Sequence, residues 1–317
     1  MKNRWTYWIL FVFFSGGAVR EVVTKLILDV YPPEVVSTVA ALIALVSVIL
    51  FYLSGKQRYN NAAREENWTA SVVVWMGALS LSTASAVFFG NIAIDRIGPL
   101  AFKLVDVIVY PLSLSFLAFL ILREMISRQV IVSTLIALVG FYVFYAGRIT
   151  ELTLGWAGMA AGGLSALSYA ISLMIVKRLL SQNIIPEKIV AARFLLLSLC
   201  AFFVVPGKSF EFSWQAGFLL LLLGILGYAG LFTMFFYGVK EIPATTVNVF
   251  VASTPLFSAL FSWLLLPDVR YSVVEMIGLL IIILALGYML VVRGPSQTSL
   301  PSHEKPMDSK NAGFLVK

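Results

Sequence analysis

Lys103 and Asp106 stand three residues apart in PLAFKLVDVIVYP (residues 99–111), a stretch otherwise apolar enough to sit in lipid. Arg20 and Glu21 form a second pair of opposite charge in a long apolar run near the start of the chain. Charges of both signs in such surroundings suit three kinds of chemistry. They can bind the charged ends of a small molecule, pass protons between carboxylates, or close on one another as structural ion pairs. Asn91, Thr245, Thr246, Asn248 and Thr254 add uncharged hydrogen-bonding groups, and Thr245 and Asn248 share a helix face by their spacing. Hydrogen bonding between helices is the competing role for all five.

Other chemistry lacks its parts. The single cysteine, Cys200, lies in an apolar run and the single histidine, His303, in a polar tail. Zinc sites, Ser-His-Asp triads and Cys-His dyads inside a membrane are therefore not expected, and no cofactor or metal is implied. A P-loop is also missing, so the chain itself offers no ATP site. Hydrophobic residues make up 60% of the sequence and charged residues 12%, with a mean hydropathy of +0.93. Soluble domains carry about twice that charge. The apolar blocks approach the roughly 20 residues that a helix needs to cross hydrocarbon. Alternating segments of about ten residues, which would mark a β-barrel, do not occur. The composition predicts a polytopic helical membrane protein.

Ten spans are expected, at 5–28, 34–53, 70–94, 99–122, 130–147, 154–176, 188–205, 214–238, 244–266 and 273–292. With both termini cytoplasmic, the inner segments hold fifteen Lys and Arg and the outer ones six, a clear positive-inside bias. The formal charge of +7 is thus accounted for by topology and by attraction to anionic headgroups of the bilayer, with no need for nucleic acid. Lys2 and Arg4, the apolar run after them and then Ser15-Gly16-Gly17-Ala18 give the start of the first span a competing reading as a signal peptide. A span is favoured, because cleavage would leave an odd number and move the basic tail outside. Residues 294–317 lack a long apolar run and read as a disordered cytoplasmic tail.

The chain also repeats itself. PLAFKLVDVIVYP returns as PATTVNVFVASTP at 243–255, thirteen residues with proline at each end in both cases. The same offset pairs Arg96 with Lys240 and Glu124 with Asp268, while Pro33-Glu34 and Pro186-Glu187 precede the second and seventh spans. Two five-span halves, 1–150 and 151–293, follow. Five is odd, so the halves must enter the membrane in opposite directions, giving an inverted repeat. Pro111 and Pro255 fall mid-span in the two halves, where proline frees a carbonyl and bends the helix; paired bends suit gates or fixed kinks. Gly158 and Gly162 form a GxxxG expected to allow close helix packing.

In its motifs the chain resembles the EamA-type group of the drug/metabolite transporter superfamily. Pro111, then Leu120-Ile121-Leu122-Arg123-Glu124, Ser127, Gln129 and Gly140 carry the pattern in the first half. Pro255, Asp268, Ser272 and Gly278 are its degenerate counterpart in the second. Ala192-Arg193-Phe194 is similar to the arginine that often opens the second helix of a unit, though the first unit has Val39-Ala40-Ala41 there. Ser15-Gly16-Gly17 stands where the family usually has Trp-Gly. The resemblance implies a ten-helix transporter, an exporter by family habit. It also implies a central pathway lined by helices one, three, four, six, eight and nine.

Asp106 lies seven residues into the fourth span, roughly 10 Å deep at 1.5 Å per residue, and Arg20 and Glu21 lie about as far from the same end of the first. Four charges facing lipid would cost roughly 10 kcal/mol, comparable to the whole stability of a domain at about 5–15 kcal/mol. They are expected to meet instead around a polar cavity between spans one and four, with Arg20 near Asp106 and Glu21 near Lys103. Lys103 and Asp106 share a face, as do Glu21 and Lys25. Arg193, near the end of span seven, is expected to be an interfacial anchor. The resulting expectation is a secondary transporter of a small polar, zwitterionic metabolite such as an amino acid, in a bacterial inner membrane. Arg20, Glu21, Lys103, Asp106, Asn91, Thr245 and Asn248 would line its site. Protons are the candidate coupling ion, with Asp106 and Glu21 as carriers; facilitated diffusion fits equally. A non-transporting receptor, an intramembrane enzyme and a channel are the alternatives.

Overall fold

The computed structural model describes residues 2–54, 69–122, 128–146, 152–206, 213–241, 244–266 and 270–291. The tail 294–317, the motif residues Glu124, Ser127 and Asp268, and the side chains of Gln129, Lys240, Thr245, Thr246 and Asn248 lie outside the described residues. What is described is helical, without strands, and forms ten rods. These are α1 (Lys2–Leu28), α2 (Pro33–Ser54), α3 and α4 (the two arms of Ala70–Leu122), α5 (Arg128–Ala146) and α6 (Leu152–Ser181). They continue with α7 (Pro186–Val204), α8 (214–241), α9 (Ala244–Leu265) and α10 (Val273–Val291).

Local chemistry sets the ends. Pro33 and Pro186 open α2 and α7, where a missing N–H costs nothing, each followed by a glutamate that complements the helix dipole. At the end of α6, Asn183 adopts φ 60°. Its N–H donates to Leu180 O and that of Ile184 to Leu179 O, a Schellman closure. The Ser272 N–H donates to Glu275 Oε2 at 2.6 Å, and the Glu275 N–H to Ser272 Oγ at 3.2 Å. This reciprocal capping box starts α10. Ser272→Ala is expected to cost about 1 kcal/mol, read as a small fall in the thermal midpoint of the purified protein.

The long element Ala70–Leu122 breaks at Gly98, whose φ of 77° and ψ of 165° suit glycine, with Pro99 following. The neighbours give the direction of each arm. Along α6, Gly158 meets Ile97, Ser165 bonds Ala86 O, Ser172 bonds Ser82, and Arg178 covers Trp75, so α3 runs antiparallel to α6. Gly162 meets Phe102 and Val105, so α4 runs alongside α6 in the same direction. The arms therefore fold back into a helical hairpin. Gly158 and Gly162 serve close packing: a Cβ on Gly158 would lie 2.5 Å from Ile97. The backbone remains helical through Pro111 and Pro255, both buried, and the sharp break lies at Gly98 instead.

Pro33–Ser54, Ala70–Leu114, Gly155–Ser181 and Trp214–Gly238 are long and apolar enough to cross a membrane; Leu135–Phe144, Thr254–Leu265 and Val273–Ala285 are shorter apolar helices. Two further pairs of rods pack closely at glycine. Gly224 of α8 fits against Ile43 and Ala40 O of α2, while Gly140 of α5 and Gly278 of α10 each face the other's carbonyl oxygen. Within α8 the stretch Leu223–Gly230 is π-helical, flanked by Trp214–Leu222 and Leu231–Glu241. Such wide turns are uncommon and cluster at functional sites.

Candidate functional site

Helices α1, α4, α6, α7, α8 and α9 surround a cavity of about 90 Å³. Arg20 and Glu21 enter it from α1, Lys103, Asp106 and Tyr110 from α4, Tyr169 from α6, Arg193 from α7, and Thr254 from α9. Phe232, Phe235 and Phe236 of α8, with Phe13 and Phe14 of α1, complete an aromatic wall. Phe13 stacks on Phe235 with ring centres 4.1 Å apart.

Lys103 is the hub of the charges. Its Nζ lies 2.8 Å from Glu21 Oε1 and 2.8 Å from Asp106 Oδ2, joining α1 to α4. The Arg20 guanidinium reaches Glu21 Oε1 at 3.4 Å and lies 5.5 Å from the ring centres of both Tyr228 and Phe232. The expected contact of Glu21 with Lys103 is present. The expected contact of Arg20 with Asp106 is not: Arg20 takes its own neighbour Glu21, and Asp106 takes Lys103 three residues back. A lysine one helical turn away is within easy reach of aspartate, whereas Arg20 bends toward the ring faces of α8. Lys25 does not share the site with Glu21. It turns to Asp29 at 3.0 Å and Asp95 at 3.7 Å near the end of α1.

Arg193 departs furthest from expectation. It is 3% exposed rather than an interfacial anchor. Its guanidinium carbon lies 4.2 Å from the ring centre of Phe232, 5.5 Å from that of Tyr169 and 5.8 Å from that of Phe236. A desolvated cation over a ring gains about 2 kcal/mol. Among the described residues no carboxylate lies within ion-pair distance of it, and its Nε has no hydrogen-bond partner.

The other sequence-derived residues divide. Asn91 lies off the main cavity, donating to Ser37 Oγ of α2 at 2.8 Å, beside a smaller void of about 10 Å³ that also touches Arg20, Glu21, Tyr169 and Tyr228. Thr245 and Asn248 fall in the first turns of α9, their side chains outside the described residues. Among the helices that the resemblance implies as pathway walls, α3 reaches the smaller void, while α7 joins the main cavity through Arg193. Sequence reasoning placed Arg193 at the interface and not in the site, and it passed over Tyr110 and the phenylalanines of α1 and α8. The arginine motif at 192–194 was the available signal for Arg193. No pattern separates a cavity phenylalanine from one facing lipid.

Helices packed around buried charges of both signs and an aromatic-walled cavity define a multi-pass membrane protein with an internal polar site. Residues 156–291 match the model of the EamA-like transporter family, which belongs to the drug/metabolite transporter superfamily. Membrane transport of the drug/metabolite type is the activity this family indicates. No curated protein matches the chain in sequence. A solved structure titled only "Crystal structure of protein" is similar in fold, with a TM-score of 0.63 at 15% identity, covering 92% of this chain and 99% of that one.

Proposed function

We propose that this protein is a secondary transporter, working as an exporter, for a small polar metabolite with charges of both signs, such as an amino acid or a related compound. It would act in the bacterial inner membrane by alternating access between two inverted halves, 1–150 and 151–293, with both termini cytoplasmic. The observation that carries this reading is the cavity itself. It lies between rods of both halves and presents Arg20, Glu21, Lys103, Asp106 and Arg193, ionisable groups of the kind that mark solute or ion paths inside a membrane.

The packing supports the inverted halves. A two-fold axis that exchanges α1–α5 with α6–α10 maps the pairing of α1 with α9 onto that of α6 with α4, and the pairing of α3 with α7 onto that of α8 with α2. All of these pairs are packed together. The same axis maps α2–α7 and α5–α10 onto themselves, and both pairs are in contact. The reciprocal approach of Gly140 and Gly278 is the self-complementary contact expected on such an axis. Pro111 and Pro255 occupy related places in α4 and α9 and are proposed to mark where the two gates flex, with Thr245, Asn248 and Asn91 as further polar contacts along the path.

Counter-flow of labelled amino acids in proteoliposomes tests the reading. Saturable exchange is expected, and Glu21→Gln and Asp106→Asn are each expected to lower it about tenfold or more, as loss of one buried charge-assisted contact does. A pH gradient that drives net flux in the wild type but not in these variants would assign proton coupling to the carboxylates. Exchange unchanged in both variants would remove the charged site from the mechanism.

A further inference from the structure

We infer that Arg193 is the docking point for a carboxylate of the transported molecule, whose aromatic or bulky apolar body lies against Phe232, Phe236 and Tyr169. This deepens the transport reading and rests on it for the ligand's being cargo, but not for the binding.

The cations of the cavity are not equivalent. Lys103 is held by two carboxylates and Arg20 by one. Arg193 lines the same cavity and is almost wholly buried, with no ion pair among the described residues and an Nε that bonds nothing. Three cations, Arg20, Lys103 and Arg193, thus face two carboxylates, Glu21 and Asp106, so the described wall carries one uncompensated positive charge. Ring faces compensate a buried guanidinium only in part. They also leave its Nε donor unused, and a guanidinium fork matches a carboxylate in two parallel hydrogen bonds. The three rings that cover Arg193 form a surface suited to whatever apolar group the carboxylate carries.

The test is direct binding to the purified full-length protein in detergent, by calorimetry and thermal shift. The probes are 3-phenylpropanoate and L-phenylalanine, with 3-phenylpropanamide and L-phenylalaninamide as their carboxylate-free counterparts. Both carboxylates are expected to bind the wild type about tenfold or more tightly than their amides. In Arg193→Gln the preference is expected to vanish. In Arg193→Lys it is expected to survive with weaker binding, because a lysine offers charge without the fork. Acids and amides binding alike, no acid binding at millimolar concentration, or an intact preference in Arg193→Gln would each overturn the inference. If Arg193→Gln is not monodisperse, Arg193→Lys decides, and affinity for the acids equal to wild type counts against the docking role. Arg193-dependent binding without counter-flow of the same acids would sustain the docking site while removing the transport reading.

Discussion

Replacing Lys103 by methionine is expected to destabilise the folded protein by about 3–5 kcal/mol, the usual result of removing one partner from a buried ion pair. The reason lies in what the change leaves behind. Glu21 and Asp106 both depend on Nζ of Lys103 at 2.8 Å. Glu21 would retain Arg20 at the longer distance of 3.4 Å, and Asp106 would lose its ion-pair partner among the described residues. Methionine has nearly the volume and length of lysine, so packing is not the cause. A triple variant, Lys103→Met with Glu21→Gln and Asp106→Asn, is expected to regain most of the loss, since neutral amides cost far less to bury than unpaired carboxylates. Thermal unfolding of the three proteins in one detergent measures this. A single variant as stable as the wild type would mean that water already solvates the carboxylates, and the cluster would then not hold α1 to α4.

A comparable loss is expected from Gly278→Ala for a purely steric reason. A methyl at this position would meet the backbone nitrogen and Cα of Phe144 and lie 2.7 Å from the Gly140 carbonyl oxygen. Side chains can rotate away from an intruding methyl, but these are backbone atoms of a neighbouring helix, so α5 and α10 must separate along their contact. Overpacking costs about 1–3 kcal/mol where side chains can yield, and the upper end or beyond applies here. Gly163→Ala is the control. It lies in α6 with nothing within 4 Å of the added methyl, and is expected to be neutral or to gain up to about 1 kcal/mol from helix propensity. Unfolding midpoints of the two variants should move in opposite directions or differ widely. Equal midpoints would show that the two helices are not locked at their glycines.

The grouping of Arg20, Glu21 and Lys103 was legible because hydrocarbon leaves a charge few places to go. Helix spacing then put α1 and α4 at matching depth. The pairing within the group was not legible, since Arg20 can reach several carboxylates and the choice depends on the ring faces of α8. Arg193 was misread for a related reason. Apolar residues that continue on both sides of an arginine look the same whether the side chain climbs to the interface or turns inward, and only the packing of α6 and α8 over α7 decides. Helix positions were close to those expected because proline, glycine and capping residues mark most ends. The hairpin turn at Gly98 was marked too, by the Gly-Pro pair between two expected spans. The aromatic wall carried no mark: Phe13 and Phe232 differ in no sequence property from the phenylalanines that face outward.

The π-helical stretch Leu223–Gly230 lies just before Phe232, Phe235 and Phe236. Its broad turns take up chain without matching the phase of an ordinary helix, so the rings that follow owe their aim to it. One residue gained or lost there would swing all three by about 100° while leaving every connecting loop untouched. The shape of the chamber's aromatic wall can thus be retuned by chain length alone, with no exchange of side chains.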